Sequence, residues 1–141
     1  MIVTRYAIRA QPKPRMTMRS TWSKPARRYF EYKETLQAIG FQLPPFGYHV
    51  ICVFKMPESW SAKKKTGLIN AEHEQKPDKD NIEKALLDAI FSDDQHIWDG
   101  RISKVWGLND EIIVVEDIQK KEEILSFITE IVNSTAEEEE S

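Results

Sequence analysis

The sequence contains one cysteine, five glycines and no long apolar run. Cys52 stands alone, which excludes an internal disulfide framework and a zinc site built from cysteines. No apolar run approaches the roughly 18 residues that a membrane-spanning helix needs. The opening MIVTRYAIRA alternates apolar and polar residues, unlike the continuous apolar core of a signal peptide. We therefore expect a cytoplasmic protein, with a single domain over residues 1–134 and a disordered acidic tail over 135–141.

Charge is distributed unevenly along the chain. The formal net charge is −3, yet the first 30 residues contain eight basic side chains and no acidic one. A second basic cluster is Lys63–Lys65, whereas Glu137–Glu140 make the end of the chain acidic. A basic front of this kind is typical of proteins that bind polyanions, although an ordinary solvated surface is the alternative.

The periodicity of apolar residues indicates an α+β domain with a small mixed sheet and packed helices. Strands are predicted over 2–9 and 47–56, a hairpin over 101–117 with its turn at Asn109–Asp110, and helices over 26–39, 81–91 and 119–133. Gly40 is placed to end the first helix. The second strand is apolar on both faces, which predicts a central position in the sheet. Residues 57–80 form a long polar connection, and such loops are often functional or disordered.

The segment from Lys76 to Asp94 contains the most informative carboxylates. If the chain stays extended after Pro77, Asp78 and Asp80 project from the same side. Two close carboxylates repel each other, and a divalent cation such as Mg²⁺ removes that cost. The structural alternative makes Asp80 a helix N-cap with Glu83 in a capping box, or an ion-pair partner of Lys84 in a ladder that continues to Asp88. Asp93 and Asp94 would then be ordinary turn residues.

The run KPDKDNIEKALLDAIFSDD resembles the signature of the RusA family of Holliday-junction resolvases, small endonucleases of bacteria and prophages. The family pattern has a basic residue, D-x-D-N, a lysine three positions later, a helix and then D-D. The run Pro12-Lys13-Pro14-Arg15 and the chain length also fit the family. The pattern often has glutamine two residues after D-D, where this chain has His96, so the choice between Asp93 and Asp94 stays open.

The resemblance implies cleavage of branched DNA by a homodimer that depends on Mg²⁺, with Mn²⁺ as a substitute, in DNA recombination and repair. It implies that Asp78, Asp80 and Asp94 are catalytic residues that bind the metal and that Lys84 is a catalytic lysine near the phosphate. Asn81 and Asp93 are possible accessory residues. The alternative is a basic DNA-binding module without catalysis, whose carboxylates are structural.

Basic residues outside this motif are expected to bind the DNA backbone, which confers affinity without sequence information. The predicted set is Arg15, Arg19, Arg27, Arg28, Lys63, Lys64, Lys65 and Lys76. Trp22 and Trp60 are candidates for stacking on bases of an open junction, with packing of a loop onto the domain as the alternative. The three histidines have no metal-binding spacing.

The position of the third carboxylate raises a geometric question. A helix over 81–91 is about 16 Å long, so Asp94 begins far from Asp78. Either the chain folds back along the helix, or Asp94 completes the site of a second subunit.

Overall fold

The computed structural model describes residues 1–15, 23–44, 46–92 and 95–134. Its elements in chain order are β1 (Ile2–Tyr6), α1 (Lys24–Ala38), β2 (Tyr48–Lys55), α2 (Ala62–Leu68), α3 (Lys79–Ile90), β3 (Gly100–Gly107), β4 (Glu111–Glu116) and α4 (Ile118–Val132). The predicted tail over 135–141 lies outside the described residues. No helix within the described ranges is long and apolar enough to cross a membrane.

The four strands form one mixed sheet in the order β1-β4-β2-β3. β4 runs antiparallel to both β1 and β2, whereas β3 runs parallel to β2. β2 therefore has a neighbour on each side, which confirms the central position predicted from its two apolar faces. The α+β class with a small mixed sheet is also confirmed.

The prediction of a hairpin over 101–117 is wrong, because β2 lies between β3 and β4, the two strands that were expected to pair. The three residues that connect β3 to β4 cross the end of β2. There the amide of Met56 donates to the carbonyl of Gly107 at 3.0 Å, and the amide of Lys55 donates to Oδ1 of Asp110 at 2.9 Å. Asp110, expected near a tight turn, thus caps the end of a neighbouring strand.

The main core lies between α1, α3 and one face of the sheet. Alternate residues of β2 on this face are fully buried: Tyr48, Val50, Cys52 and Phe54. They meet the apolar stripe of α3, which includes Ile82 and Leu86, and the tyrosines of α1. On the opposite face, residues such as Ile51 and Val53 are only half-buried. Because α1 and α3 each bury one face against the sheet, their apolar residues recur at the helical period. These helices could therefore be predicted from periodicity.

Both ends of α1 follow local sequence rules. The hydroxyl of Ser23 accepts a hydrogen bond from the amide of Ala26, and Pro25 occupies the first turn, where a missing amide hydrogen costs no helical bond. The helix therefore begins two residues before the predicted start. At the other end, Gly40 has φ of +73°, and the amide of Phe41 donates to the carbonyl of Leu36. This is the glycine-terminated geometry that was predicted.

The long connection over 57–80 is more ordered than its polar composition indicated. It contains the short helix α2, capped by the Ser61 hydroxyl. After α2 the chain pairs with the outer edge of β3: the amide of Asn70 donates to the Trp106 carbonyl, and the amide of His73 donates to the Lys104 carbonyl. The edge of β3 thus serves as the template for this part of the connection.

Asp88 joins three parts of the fold. Its carboxylate accepts hydrogen bonds from the Tyr29 hydroxyl and from the Lys33 ammonium group at 3.0 Å, and Lys13 lies 3.8 Å away. Partial burial, the largest single influence, opposes ionisation of Asp88. The hydrogen bonds from Tyr29 and Lys33 and the two lysine charges outweigh it, so the pKa of Asp88 is lowered.

We expect Asp88→Asn to reduce the free energy of unfolding at pH 7 by about 1–2 kcal/mol, because it removes a charge-assisted link between α1 and α3. A carboxyl with a lowered pKa stabilises the fold above its ordinary value of 3.8 and loses that contribution as the pH falls through the lowered value. The difference between wild type and variant in urea unfolding should therefore shrink below pH 3.8. Glu34→Gln on the exposed face of α1 is the control, and an equal loss in both variants would contradict the role of Asp88.

Candidate functional site

Asp78 and Asp80 lie at the start of α3, in two different backbone conformations. Asp78 is the N-cap, with φ of −69° and ψ of 143°, and its side chain makes no capping hydrogen bond. The helix begins at Lys79, so Asp80 lies in the first helical turn. The prediction of one extended segment with both carboxylates on the same side is therefore wrong, and so is Asp80 as the N-cap. The two carboxylates nevertheless flank the same helix terminus.

These carboxylates are exposed, and within the described ranges no hydrogen bond or ion pair engages either side chain. The positive end of the α3 dipole favours negative charge at this position. Lys84 follows Asp80 by one turn and is also exposed. The ladder proposed through Asp88 does not form, because Asp88 pairs with Lys33 and Lys13. Asp78, Asp80 and Lys84 are thus available to a ligand on the exposed side of α3.

Lys104 holds the loop that leads into Asp78. Its ammonium group donates to the carbonyl of Gln75 at 2.6 Å and to the carbonyl of Pro77 at 2.8 Å. On β3, Lys104 stands between Ile102 and Trp106, both buried on the helix-covered face of the sheet. Sequence reasoning missed Lys104, although a lone charge on the buried side of a strand is a usable signal, since such a charge needs polar partners.

A basic cleft of about 500 Å³ adjoins the Asp78 end of α3. Its polar lining residues are Arg9, Gln11, Lys13, Arg15, Lys76, Asp78 and Asn81. The amide of Lys13 donates to the carbonyl of Asn81 at 3.0 Å, which fixes the basic N-terminal segment against α3. The structure thus brings the two parts of the sequence motif together, the run around Pro12–Arg15 and the run around Asp78–Asn81. It adds Arg9 and Lys13, which were not among the predicted DNA-binding residues.

Five of the six remaining predicted DNA-binding residues lie on two helices. Arg27 and Arg28 are exposed in the first turns of α1. Lys63–Lys65 belong to α2, where Lys65 lies 3.9 Å from Glu58. Arg19, like the candidate stacking residue Trp22, lies outside the described residues.

A row of four packed aromatic rings lies between α2 and the basic cleft. It consists of Trp60, Trp106, His73 and Phe54, with successive centroid separations of 4.8, 4.2 and 4.3 Å. Lys64 lies 4.2 Å from the Trp60 ring, and the Arg9 guanidinium lies 5.2 Å from the Phe54 ring. Burial, followed by the nearby charge of Lys104, lowers the pKa of His73, so its neutral ring packs as an aromatic. Trp60 therefore packs onto the domain, as the structural alternative proposed.

Residues 97–100 lie beside α3. The amide of Gly47 donates to the carbonyl of Asp99 at 3.2 Å, and residues 97–100 line a second cleft together with Glu83 and Leu87. Asp93 and Asp94, predicted to supply the third carboxylate, lie outside the described residues.

The donor set suits a hard divalent cation. Across the described ranges, no group of three or more histidine, cysteine or acidic side chains could hold a metal. Mg²⁺ commonly binds through only one or two carboxylates, with water and substrate phosphates completing its coordination. Asp78 and Asp80, exposed and without protein partners in the described part of the chain, fit that requirement.

One comparison with known proteins gives a match. The family described as "Endodeoxyribonuclease RusA" matches residues 6–116. That segment runs from the end of β1 to the end of β4 and leaves out α4. No curated protein and no solved structure gives a significant match.

We expect Lys104→Met to loosen the loop before Asp78, because two carbonyls lose a charged donor. Amide hydrogen exchange over residues 74–79 should become roughly tenfold faster, while α1 keeps its protection. Arg101→Met, on the opposite face of β3, is the matched control. Unchanged exchange in the Lys104 variant would mean that pairing with the edge of β3 is sufficient to hold the loop.

Proposed function

The chain belongs to the RusA family of endodeoxyribonucleases, the Holliday-junction resolvases that its sequence resembles, and from this premise we propose a Mg²⁺-dependent resolvase that cuts four-way DNA junctions by paired, symmetric incisions. The observation that carries the proposal is the meeting of the basic cleft with the free carboxylates at the start of α3. Positive charge to hold phosphates and carboxylates to hold a cation are the two requirements of metal-assisted phosphodiester hydrolysis.

Asp78, Asp80 and Asp94 would hold the cation, for which Mn²⁺ is a substitute. When bound, the ion supplies an activated water and offsets charge on the phosphodiester. Lys84, one turn into α3 and exposed, is placed to contact a phosphate oxygen or the leaving group. Lys104 is a positioning residue, since its hydrogen bonds to the carbonyls of Gln75 and Pro77 hold the backbone that presents Asp78. Asn81 and Asp93 remain accessory candidates.

The DNA backbone would follow the basic cleft and reach the two basic helices. The cleft contributes Arg9, Lys13, Arg15 and Lys76, and the helices contribute Arg27, Arg28 and Lys63–Lys65. Arg19 is a further candidate. Binding of this kind releases counterions, so affinity for a junction should fall steeply between 50 and 200 mM salt.

A homodimer suits this function, because paired incisions in a symmetric junction call for two active sites related by a twofold axis. The return of residues 97–100 to the side of α3 supports a third carboxylate from the same chain rather than from a partner. Three residues extend at most about 10 Å, so the chain between Asp94 and Ile97 is short. Each subunit would then contain a complete site.

Asp80→Asn tests the metal-dependent activity directly. We expect the wild type to cut a synthetic four-way junction at symmetric positions in Mg²⁺ and to leave linear duplex intact. Cleavage should stop in EDTA and fall by about 100-fold or more in the variant, while junction binding persists. Glu123→Gln on α4, outside the family match, is the carboxylate control and should cut normally.

The other outcome identifies the rival function. Tight binding of the wild type to the junction, without cleavage at any Mg²⁺ or Mn²⁺ concentration, would make the carboxylates structural. The protein would then be a DNA-binding module.

A further inference from the structure

Trp98 presents an exposed aromatic surface next to the candidate site. Trp98 is 52% exposed, although tryptophan is among the largest apolar side chains. Phe46 supports it from one side, with ring centroids 4.3 Å apart, and the Lys121 ammonium group lies 4.8 Å from the Phe46 ring. A supported aromatic ring with this much free surface is suited to receive a planar partner.

Trp98 forms one wall of the second cleft, which has a volume of about 380 Å³. The other lining residues are Tyr48, Glu83, Leu87, Ile97, Asp99 and Gly100. The Tyr48 hydroxyl donates to Oε2 of Glu83 at 2.6 Å, which fixes that carboxylate at the cleft. Gly100 is required for this arrangement, because a Cβ there would overlap the Tyr48 ring.

The cleft meets α3 at Glu83 and Leu87. Glu83 follows Asp80 by three residues, so the two side chains are neighbours on the helix surface. A nucleotide adjacent to a phosphate bound near Asp80 and Lys84 would therefore have its base within reach of the cleft.

The chemistry of the cleft selects the part of a nucleotide that can enter. Glu83 and Asp99 repel phosphate, so the backbone stays with the basic residues on the other side of α3. A nucleobase is uncharged and has a flat face that can stack on Trp98. Its N–H groups can donate hydrogen bonds to carboxylates. Bases in a continuous duplex are stacked and cannot reach such a cleft, whereas bases at the crossover of a junction can unstack.

We propose that this cleft binds one unstacked nucleobase of the junction, next to the phosphodiester that is cut, with Trp98 as its stacking partner. The proposal rests on the proposed function and extends it, because it adds a base-binding subsite to a surface that otherwise contacts the DNA backbone.

The experiment uses four-way junctions that carry 2-aminopurine at single positions beside the crossover, mixed with full-length protein in EDTA. The wild type should quench the fluorescence at one or two positions as the base stacks on Trp98. Trp98→Ala should lose that quenching and bind the junction about tenfold more weakly, with unchanged affinity for linear duplex. Trp98→Phe should restore most of the affinity, and Leu108→Ala, at another exposed apolar residue, should behave as wild type.

An abasic nucleotide at the quenched position provides an independent arm. It should weaken binding of the wild type about tenfold and leave the affinity of Trp98→Ala unchanged, since base and indole act as a pair. If Trp98→Ala does not fold, the abasic junction with wild type and the Phe variant still decides the question.

Two results would count against the subsite in different ways. Selective binding and cleavage of junctions by the wild type, with quenching and affinity unchanged in Trp98→Ala, would overturn the subsite alone. A wild type that binds junction and duplex equally would overturn both the subsite and the resolvase function.

Discussion

The parallel pairing of β2 with β3 determines where the candidate site can be. Parallel neighbours cannot be joined by a short turn, so the chain between Lys55 and Gly100 must cross over one face of the sheet. That crossover contains α2, the loop before Asp78 and the whole of α3. The edge of β3 then orders the crossover through backbone pairing at Asn70 and His73 and through the Lys104 ammonium group. The candidate catalytic residues are thus carried by one connection and positioned by one strand.

Sequence reasoning succeeded where the information is local. The end of α1 at Gly40, the apolar stripe of α3 and the central position of β2 all follow from short-range patterns. The order of strands is a long-range property, and a turn-like Asn109–Asp110 cannot reveal that a third strand lies between the two arms. The mostly polar run Ser61–Thr66 also gives little indication that a helix forms there, because α2 has no buried residues whose spacing would reveal it.

The candidate site also contains residues that a local sequence pattern identifies and residues that it does not. The spacing around Asp78, Asp80, Asn81 and Lys84 marks this part of the chain, because all four residues fall at the start of one helix. Lys104 and Arg9 come from distant segments and reach the site through the sheet and the N-terminal segment, and Trp98 lines the neighbouring cleft. Contacts between residues that are far apart in the sequence could be identified only from the folded structure.

The two edges of the sheet differ in their capacity for further pairing. Residues 70–73 already occupy backbone positions along β3, while β1 has a strand neighbour on the β4 side only, within the described ranges. An exposed strand edge invites edge-to-edge growth, which can continue indefinitely when both edges are free. Here backbone pairing already covers residues 104–106 on the edge of β3, so an identical chain would find more free backbone along β1. Covering this part of β3 with its own crossover therefore also limits edge-to-edge assembly of the sheet.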